Sequence, residues 1–208
     1  SALECREKVV EELEKLGSLE RVEDYEHRVS KCYRCDHTVE PLLSKQWFLK
    51  MDKLAKMALS AVKKKEVVFH PKRWEKLYND WLKNTRDWCI SRQIWFGHRI
   101  PAWYHDPICI PKPGREDDIS KCKQVVVSIE KPICEFCDAG YEQDPDVLDT
   151  WFSSGQWPLL TLGYPEHSDF KTYYPTDLME TGSDLVFKWV PRMIIFGLYL
   201  AGEIPFKT

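Results

Sequence analysis

The chain has 208 residues, 43% of them apolar, with nine tryptophans and a formal net charge of −3. That length suits one large domain or two small ones, the aromatic content can build a real core, and the near-neutral charge argues against a general nucleic-acid coat. The average hides a split: the stretch 45–99 holds 14 Lys and Arg against 5 Asp and Glu, a local excess of +9 that leaves −12 for the rest. Such a basic, Trp- and Tyr-rich segment faces phosphates, or it is a solvated helix face beside a buried aromatic one.

Residues Cys5–Gly17 place Val9, Val10, Leu13 and Leu16 at helical spacing, and Gly17 is a C-terminal stop. A cysteine turn, Cys32-x-x-Cys35, follows, with a short strand after it. Leu54, Met57, Ala58, Ala61 and Val62 define one face of the next helix. Glu66–Pro71 reads as a short strand or extended link, Pro71 can open a helix at its first position, and Trp74, Leu77, Tyr78 and Trp81 repeat at i, i+3, i+4 and i+7. Asp87–Ser91 reads as a buried strand and Gly97–Pro107 as loop and turn. Between His105 and Gln143, prolines, cysteines and the run Val125–Ile129 suggest a small inserted module with one or two strands. A regular element returns at Asp144–Ser154, Tyr174–Thr181 reads as loop then strand, Gly182-Ser183-Asp184 makes a turn, and a helix runs from Leu185 to about Leu200, ended by Gly202.

This order points to an α/β layered domain with a parallel sheet, in which ligands bind at strand carboxyl ends near helix N-termini. The Gly182–Asp184 turn lies at such a helix mouth. Gly182 permits a sharp turn or close approach. Asp184 either caps the helix or binds a cation or sugar hydroxyls, and Leu185 and Trp189 share its face.

No apolar signal segment opens the sequence. The window Leu185–Leu200 contains Lys188, Pro191 and Arg192 and is too short and too charged for a membrane span. Eight cysteines in such a chain read as thiols or metal ligands rather than disulfides, and the expectation is a cytoplasmic protein. Cys32-x-x-Cys35 and Cys134-x-x-Cys137 each put two thiolates on a tight turn, as tetrahedral zinc requires. Three arrangements stand open. All four form one site; or Cys134 and Cys137 are completed by Cys109 and Cys122; or Cys32 and Cys35 take ligands from outside these residues. His37 and His105 are weaker donors, and free thiols remain the plain reading.

Several long runs together are similar to one family. WCISRQIWFGHRIPAWY from Trp88, DPDVLDTWFSSGQWPLLTLGYPE from Asp144, the run from Tyr174 to Thr208, and CYRCDHTVEPLLSKQWF from Cys32 resemble the class I aminoacyl-tRNA synthetases for branched aliphatic amino acids. Trp-Phe-Ser-Ser at Trp151–Ser154 and Thr-Gly-Ser-Asp-Leu at Thr181–Leu185 resemble the valine-specific branch, where the isoleucine branch usually has Trp-Phe-Asp-Ser and a Gln after the Asp.

The resemblance implies an enzyme that activates valine with ATP and Mg to an adenylate and transfers it to tRNA(Val). It implies that Asp184 receives the α-amino group, that Gly182 lies near the adenylate, and that Trp151, Leu185 and Trp189 wall the side-chain pocket. The family's His-Ile-Gly-His and Lys-Met-Ser-Lys-Ser motifs are not in this sequence. An excised, inactive and monomeric middle fragment is therefore expected. It would divide into the end of the editing insertion (1–30), a knuckle with helices and strands of the catalytic core (31–104), a small insert that is a candidate zinc-binding module (105–143), and the second half of a Rossmann-like nucleotide-binding domain (144–208). An isoleucine-specific fragment and a freestanding zinc-ribbon module that binds RNA through basic helices are the alternatives. For metal, the resemblance favours an incomplete Cys32/Cys35 site, and the insert departs from the family: in place of a full knuckle soon after Ile100–Tyr104 there is only Cys109 and then Cys122.

Overall fold

The structure, a computed structural model, describes residues 2–33, 35–40, 43–106, 112–114 and 121–208. The chain forms two compact units, Ser1–Lys45 and Gln46–Thr208. In the first, α1 spans Ala2–Lys15, with Glu4 in its first turn and Lys15 in its last, each matched to the helix dipole. Gly17, at φ +65°, ends it: Ser18 N–H reaches Leu13 O at 2.9 Å and Gly17 N–H reaches Glu14 O at 3.0 Å, a Schellman cap. The expected helix and stop are both present, but Val9, Val10, Leu13 and Leu16 are exposed. Downstream, Lys31 pairs with Thr38, and Cys32 N–H bonds His37 O at 2.8 Å. Cys32 and Cys35 thus sit on one tight hairpin turn, with a single bridge where a strand was expected.

The second unit is built around three helices. In α2 (Asp52–Lys63), Leu54, Ala55, Ala58, Ala61 and Val62 are buried, whereas Met57, expected on that face, is exposed. The alanines allow α3 (Arg73–Lys83) to approach closely, and the fully buried Tyr78 donates to Ala58 O at 3.2 Å. Burial pushes the Tyr78 hydroxyl far above the ordinary phenol range, so it serves only as a donor. Pro71 precedes α3 by two residues instead of opening it, its carbonyl accepting from Trp74 N at 3.2 Å.

Among the described residues, seven short strands interleave with these helices. β1 (Phe48–Leu49) pairs with β2 (Trp88–Cys89), both antiparallel. β3 (Ser91–Arg92) and β4 (Ala102–His105) follow, then β5 (Val125–Val127), β6 (Tyr141–Gln143) and β7 (Val147–Leu148). β3 pairs with β7, and β4 lies between β5 and β6. β4 occupies a stretch read from sequence as loop. Prolines at both ends hide its pattern, in which Ala102 and His105 are buried while Tyr104 is exposed.

The ladders are antiparallel, in place of the parallel sheet expected. Among the described residues the parallel pairing is one bridge, Thr176 with Phe206, in which Thr176 N–H bonds Pro205 O at 3.0 Å and Lys207 N–H bonds Thr176 O at 3.1 Å. Pro175 and Pro205 stand just before it and have no N–H to give, so the ladder cannot extend in that direction.

Three short helices, α4 (Thr150–Ser154), α5 (Trp157–Leu160) and α6 (Ser168–Tyr173), lead to the last element. One helix from Leu185 to about Leu200 was expected. The chain instead makes a 3-10 turn at Ser183–Leu185, an α-helix α7 at Val190–Phe196 and a π turn at Gly197–Ala201. Pro191 is the cause at the front: it cannot donate to Phe187, and a proline is tolerated only in a helix's first turn. Gly202, at φ +75°, ends the segment as expected.

Gly197 lies where the π turn passes other backbone. A Cβ there would sit 2.6 Å from Tyr174 Oη and 2.9 Å from Glu203 O. The backbone oxygen cannot swing aside, so Gly197→Ala loses about 1–3 kcal/mol to overpacking, outweighing the ~1 kcal/mol helix propensity gain. A lowered urea midpoint at unchanged m-value measures it.

Candidate functional site

The most complete constellation is a metal-type cluster. His105, at the end of β4, meets Cys122, Cys134 and Cys137, with all four ligand atoms within 4.8 Å of one another and all four side chains buried. Cys134 Sγ is 3.6 Å from Cys122 Sγ, which is 3.9 Å from Cys137 Sγ, and His105 Nε2 is 3.1 Å from Cys137 Sγ. Sulfurs about 2.3 Å from a tetrahedral zinc stand about 3.8 Å apart, so this spacing fits.

Burial pushes the Cys134 thiol up, but the backbone N–H groups of Phe136 and Cys137, together with the Cys137 and His105 side chains, bring it down to about 6. Two N–H groups aimed at the first sulfur of Cys-x-x-Cys are what a thiolate on this turn needs. His105 Nδ1 lies 2.6 Å from Asp106 O; with the proton on Nδ1, Nε2 is left free to ligate. Tyr141 packs edge-on against the imidazole, with centroids 5.0 Å apart.

Sequence reasoning placed Cys122, Cys134 and Cys137 in one candidate set, and the fold brings them together. It named Cys109 as fourth member; that residue lies outside the described ones. The fourth corner here is His105, which had been weighed only as a weaker donor. Cys32 and Cys35 belong to the first unit and form no group of three or more donors among the described residues.

The second constellation lies around α4 and the Gly182 turn. Asp149 is 6% exposed and caps α4 through Trp151 N–H at 3.3 Å. It also accepts Trp88 Nε1 at 2.9 Å and pairs with Arg92 at 3.0 Å. Arg192, from α7, places its guanidinium 4.5 Å from the Trp88 ring centroid, 5.3 Å from Trp81 and 5.6 Å from Trp151. Trp151 is therefore held at its backbone by Asp149 and at its ring by a cation. Burial lowers the Arg192 guanidinium and nearby Asp149 partly restores it; it stays charged. Neither Asp149 nor Arg192 carries a sequence signal that would have singled it out.

Trp189 joins this group through its Nε1, which donates to Ser154 O at the end of α4, 2.8 Å away. Leu185 N–H bonds Gly182 O, and Trp189 N–H bonds Leu185 O at 2.8 Å, so the turn carries Leu185 and Trp189 on one helical face. Asp184 is exposed, and its Oδ1 lies 3.0 Å from where a Cβ on Gly182 would be. A residue other than glycine there would crowd the carboxylate. Close approach at Gly155 serves the same architecture: a Cβ would lie 2.8 Å from the Phe196 ring. Two cavities of the second unit, about 370 and about 410 Å³, are lined by other residues: Val67–Pro71 and Trp74 with Thr181, Ser183 and Phe206, and Leu49, Lys50, Lys53 and Leu54 with Phe152, Phe196 and Tyr199.

A family model described as tRNA synthetases class I (I, L, M and V) matches residues 2–208. The chain is 51% identical over 205 residues to the valine–tRNA ligase of Petrotoga mobilis, a match over 97% of this chain and 22% of that protein. It is 48% identical over 211 residues to the Dehalococcoides mccartyi valine–tRNA ligase, covering 100% of the chain and 22% of the relative. The Thermotoga maritima valine–tRNA ligase is 49% identical over 206 residues, again 98% and 22%. The chain thus spans about a fifth of the length of these relatives.

Proposed function

The chain belongs to the class I tRNA synthetases, and from that premise we propose that it is a section of a valine–tRNA ligase. Such an enzyme joins the carboxylate of valine to the α-phosphate of ATP, with Mg and loss of pyrophosphate, and then passes the valyl group to tRNA(Val). The three relatives above are all valine ligases, which disfavours the isoleucine-specific and RNA-binding alternatives. Residues 144–208 are read as the second half of a Rossmann-like nucleotide-binding domain; the Thr176–Phe206 parallel bridge, with α7 between its arms, supports this.

One observation carries the amino-acid site: the Trp189–Ser154 hydrogen bond, which ties the Asp184 turn to the helix bearing Trp151. In this reading Asp184 receives the ammonium group of valine, for which an exposed carboxylate with no side-chain partner among the described residues is apt. Trp151, Leu185 and Trp189 offer rigid apolar surface to the isopropyl group, and Gly182 leaves room for the adenylate. Catalysis in such an enzyme rests on positioning and on stabilising phosphate charge. This chain contains neither His-Ile-Gly-His nor Lys-Met-Ser-Lys-Ser, so by itself it is expected not to catalyse ATP–pyrophosphate exchange.

His105, Cys122, Cys134 and Cys137 are read as a structural zinc site: four protein donors close the tetrahedron and leave no open position for chemistry.

A valyl-adenylate analogue that cannot react tests the amino-acid site. Soaked into crystals of the chain, its ammonium is expected within about 3 Å of the Asp184 carboxylate. Asp184→Asn should weaken its binding roughly 10- to 150-fold, the equivalent of a charged hydrogen bond of about 1.5–3 kcal/mol. Binding that ignores both Asp184→Asn and Trp151→Ala rules the site out.

A further inference from the structure

We infer that Arg192 is a positioning residue that sets the selectivity of the amino-acid site by fixing where the Trp151 indole stands. The observation behind it is a reciprocal brace between two helices. α4 carries Trp151 and, three residues on, Ser154. The start of α7 carries Trp189 and, three residues on, Arg192. Each helix holds the other's indole. Trp189 Nε1 donates to Ser154 O at 2.8 Å, and the Arg192 guanidinium stands 5.6 Å from the Trp151 ring centroid. Gly155, just after α4, lets the two helices close up: a Cβ there would lie 3.1 Å from Arg192 Cβ. The same guanidinium lies 4.5 Å from the Trp88 ring and 5.3 Å from Trp81, so Trp151 is referred to β2 and α3 as well as to α7.

A hydrocarbon side chain would fill this space at lower cost. Burial lowers the Arg192 guanidinium, and its Nε is buried with no hydrogen-bond partner among the described residues. A charge buried on such terms often stabilises a fold no better than an apolar side chain of the same volume. What the guanidinium supplies is direction. It is drawn to ring faces and stacks flat on them, so the three indoles cannot slide past it as they can past a flexible aliphatic chain. A soft wall yields to a guest one methylene larger, whereas a fixed wall leaves the overpacking with the guest. Arg192 therefore serves discrimination by size, against a branched side chain one methylene longer than that of valine. That substrate class rests on the valine–tRNA ligase reading; the brace does not.

Two measurements on the 208-residue chain test this. The first needs no ligand. The chain is labelled with 5-fluorotryptophan, and the Trp151 fluorine signal is identified by its loss in Trp151→Phe. Arg192→Met, close in length but uncharged, is expected to shift and broaden that signal. Arg192→Lys, which keeps a cation without the plane, should shift it less. Neither should move the signal of Trp103, in the β4–β5–β6 sheet. The second measurement compares the binding of non-reacting valyl- and isoleucyl-adenylate analogues by calorimetry. The parent is expected to favour the valyl compound. Arg192→Met should shrink that preference roughly 10-fold, within the range of about 5- to 150-fold that overpacking by a methylene entails. The change should come from tighter binding of the isoleucyl analogue, and Arg192→Lys should restore part of the preference. A preference unchanged in Arg192→Met overturns the inference. So does equal weakening of both analogues, the mark of a merely structural role, and so does a Trp151 signal that stays put in both variants. Where Arg192→Met does not fold, Arg192→Lys decides by the same criteria. No binding of either analogue by the parent overturns the amino-acid site and the selectivity with it, while the Trp151 signal still decides whether the brace exists.

Discussion

Replacing Cys134 with alanine, or stripping metal with a chelator, is expected to collapse the small β4–β5–β6 module while the α2–α3–α7 core stays folded. The reason is the poverty of that module's apolar core among the described residues. There its buried apolar members are Cys122, Cys134, Cys137 and Tyr141, with Trp103, Val126, Phe136 and Ala139 only partly buried around them. Three of the four buried residues are the proposed ligands themselves, so little apolar burial remains to offset chain entropy. A closed zinc site is worth roughly 10–16 kcal/mol at neutral pH, far more than those side chains supply. Among the described residues the large core holds fourteen buried ones, Ala58, Tyr78 and Ile194 fully so, and shares none with the small one. Elemental analysis should find one zinc per chain, and Cys134→Ala should abolish it. In amide spectra, signals from Ala102–His105, Val125–Val127 and Tyr141–Gln143 should disperse less, while those of Asp52–Lys63 and Val190–Phe196 persist. Two tight zinc ions per chain, or chelator-treated protein with an unchanged spectrum, would contradict the site.

Asp149→Ala is expected to cost the second unit about 3–5 kcal/mol, the scale for removing one member of a buried charged pair, with about 1 kcal/mol of it from the lost cap. The carboxylate is 6% exposed and serves Trp88 Nε1, Arg92 and the N-terminus of α4 together. Without it, Trp88 Nε1 loses its acceptor, and two guanidinium groups lose their nearest counter-charge. Arg192 suffers most, since its Nε already lacks a hydrogen-bond partner. Arg92 softens the loss because its side chain is 39% exposed and can turn to water, which favours the lower end of the range. Asp149→Asn retains hydrogen bonding without charge and should cost about half as much. Urea unfolding measures both, and a loss below about 1 kcal/mol for Asp149→Ala would show that the hub is dispensable. The same change should weaken the valyl-adenylate analogue, because Trp151 would lose its backbone anchor and the cation over its ring would shift.

The helices were legible wherever the pattern was local. The i, i+3, i+4, i+7 stripe of Trp74, Leu77, Tyr78 and Trp81 defines α3, and Gly17 and Gly202 mark helix ends that only a residue tolerating positive φ can make. Pro191 was visible too, yet its effect was underestimated: residue identity says that one hydrogen bond is lost, and packing decides whether a helix kinks there or starts there. β4 was missed because its burial does not alternate along the strand and prolines flank it, so that only its pairing with β5 and β6 makes it a strand. Of the candidate sites, Cys134 and Cys137 were legible because their spacing is the turn. His105 stood out less, since it lies 29 residues from Cys134 and only the pairing of β4 with β5 and β6 carries it there.

The sequence alone singled out the residues proposed to carry the chemistry, namely the thiols, the Asp184 turn and the indoles of Trp151 and Trp189, and it pointed through its long runs to the family. Tertiary structure alone decided their company, placing an imidazole as fourth donor, a guanidinium among three indoles, and Asp149 beneath them. Short-range spacing fixes backbone turns because they close within a few residues. Long-range neighbours are set by how strands pair and helices pack, and no local pattern in the chain encodes that distance.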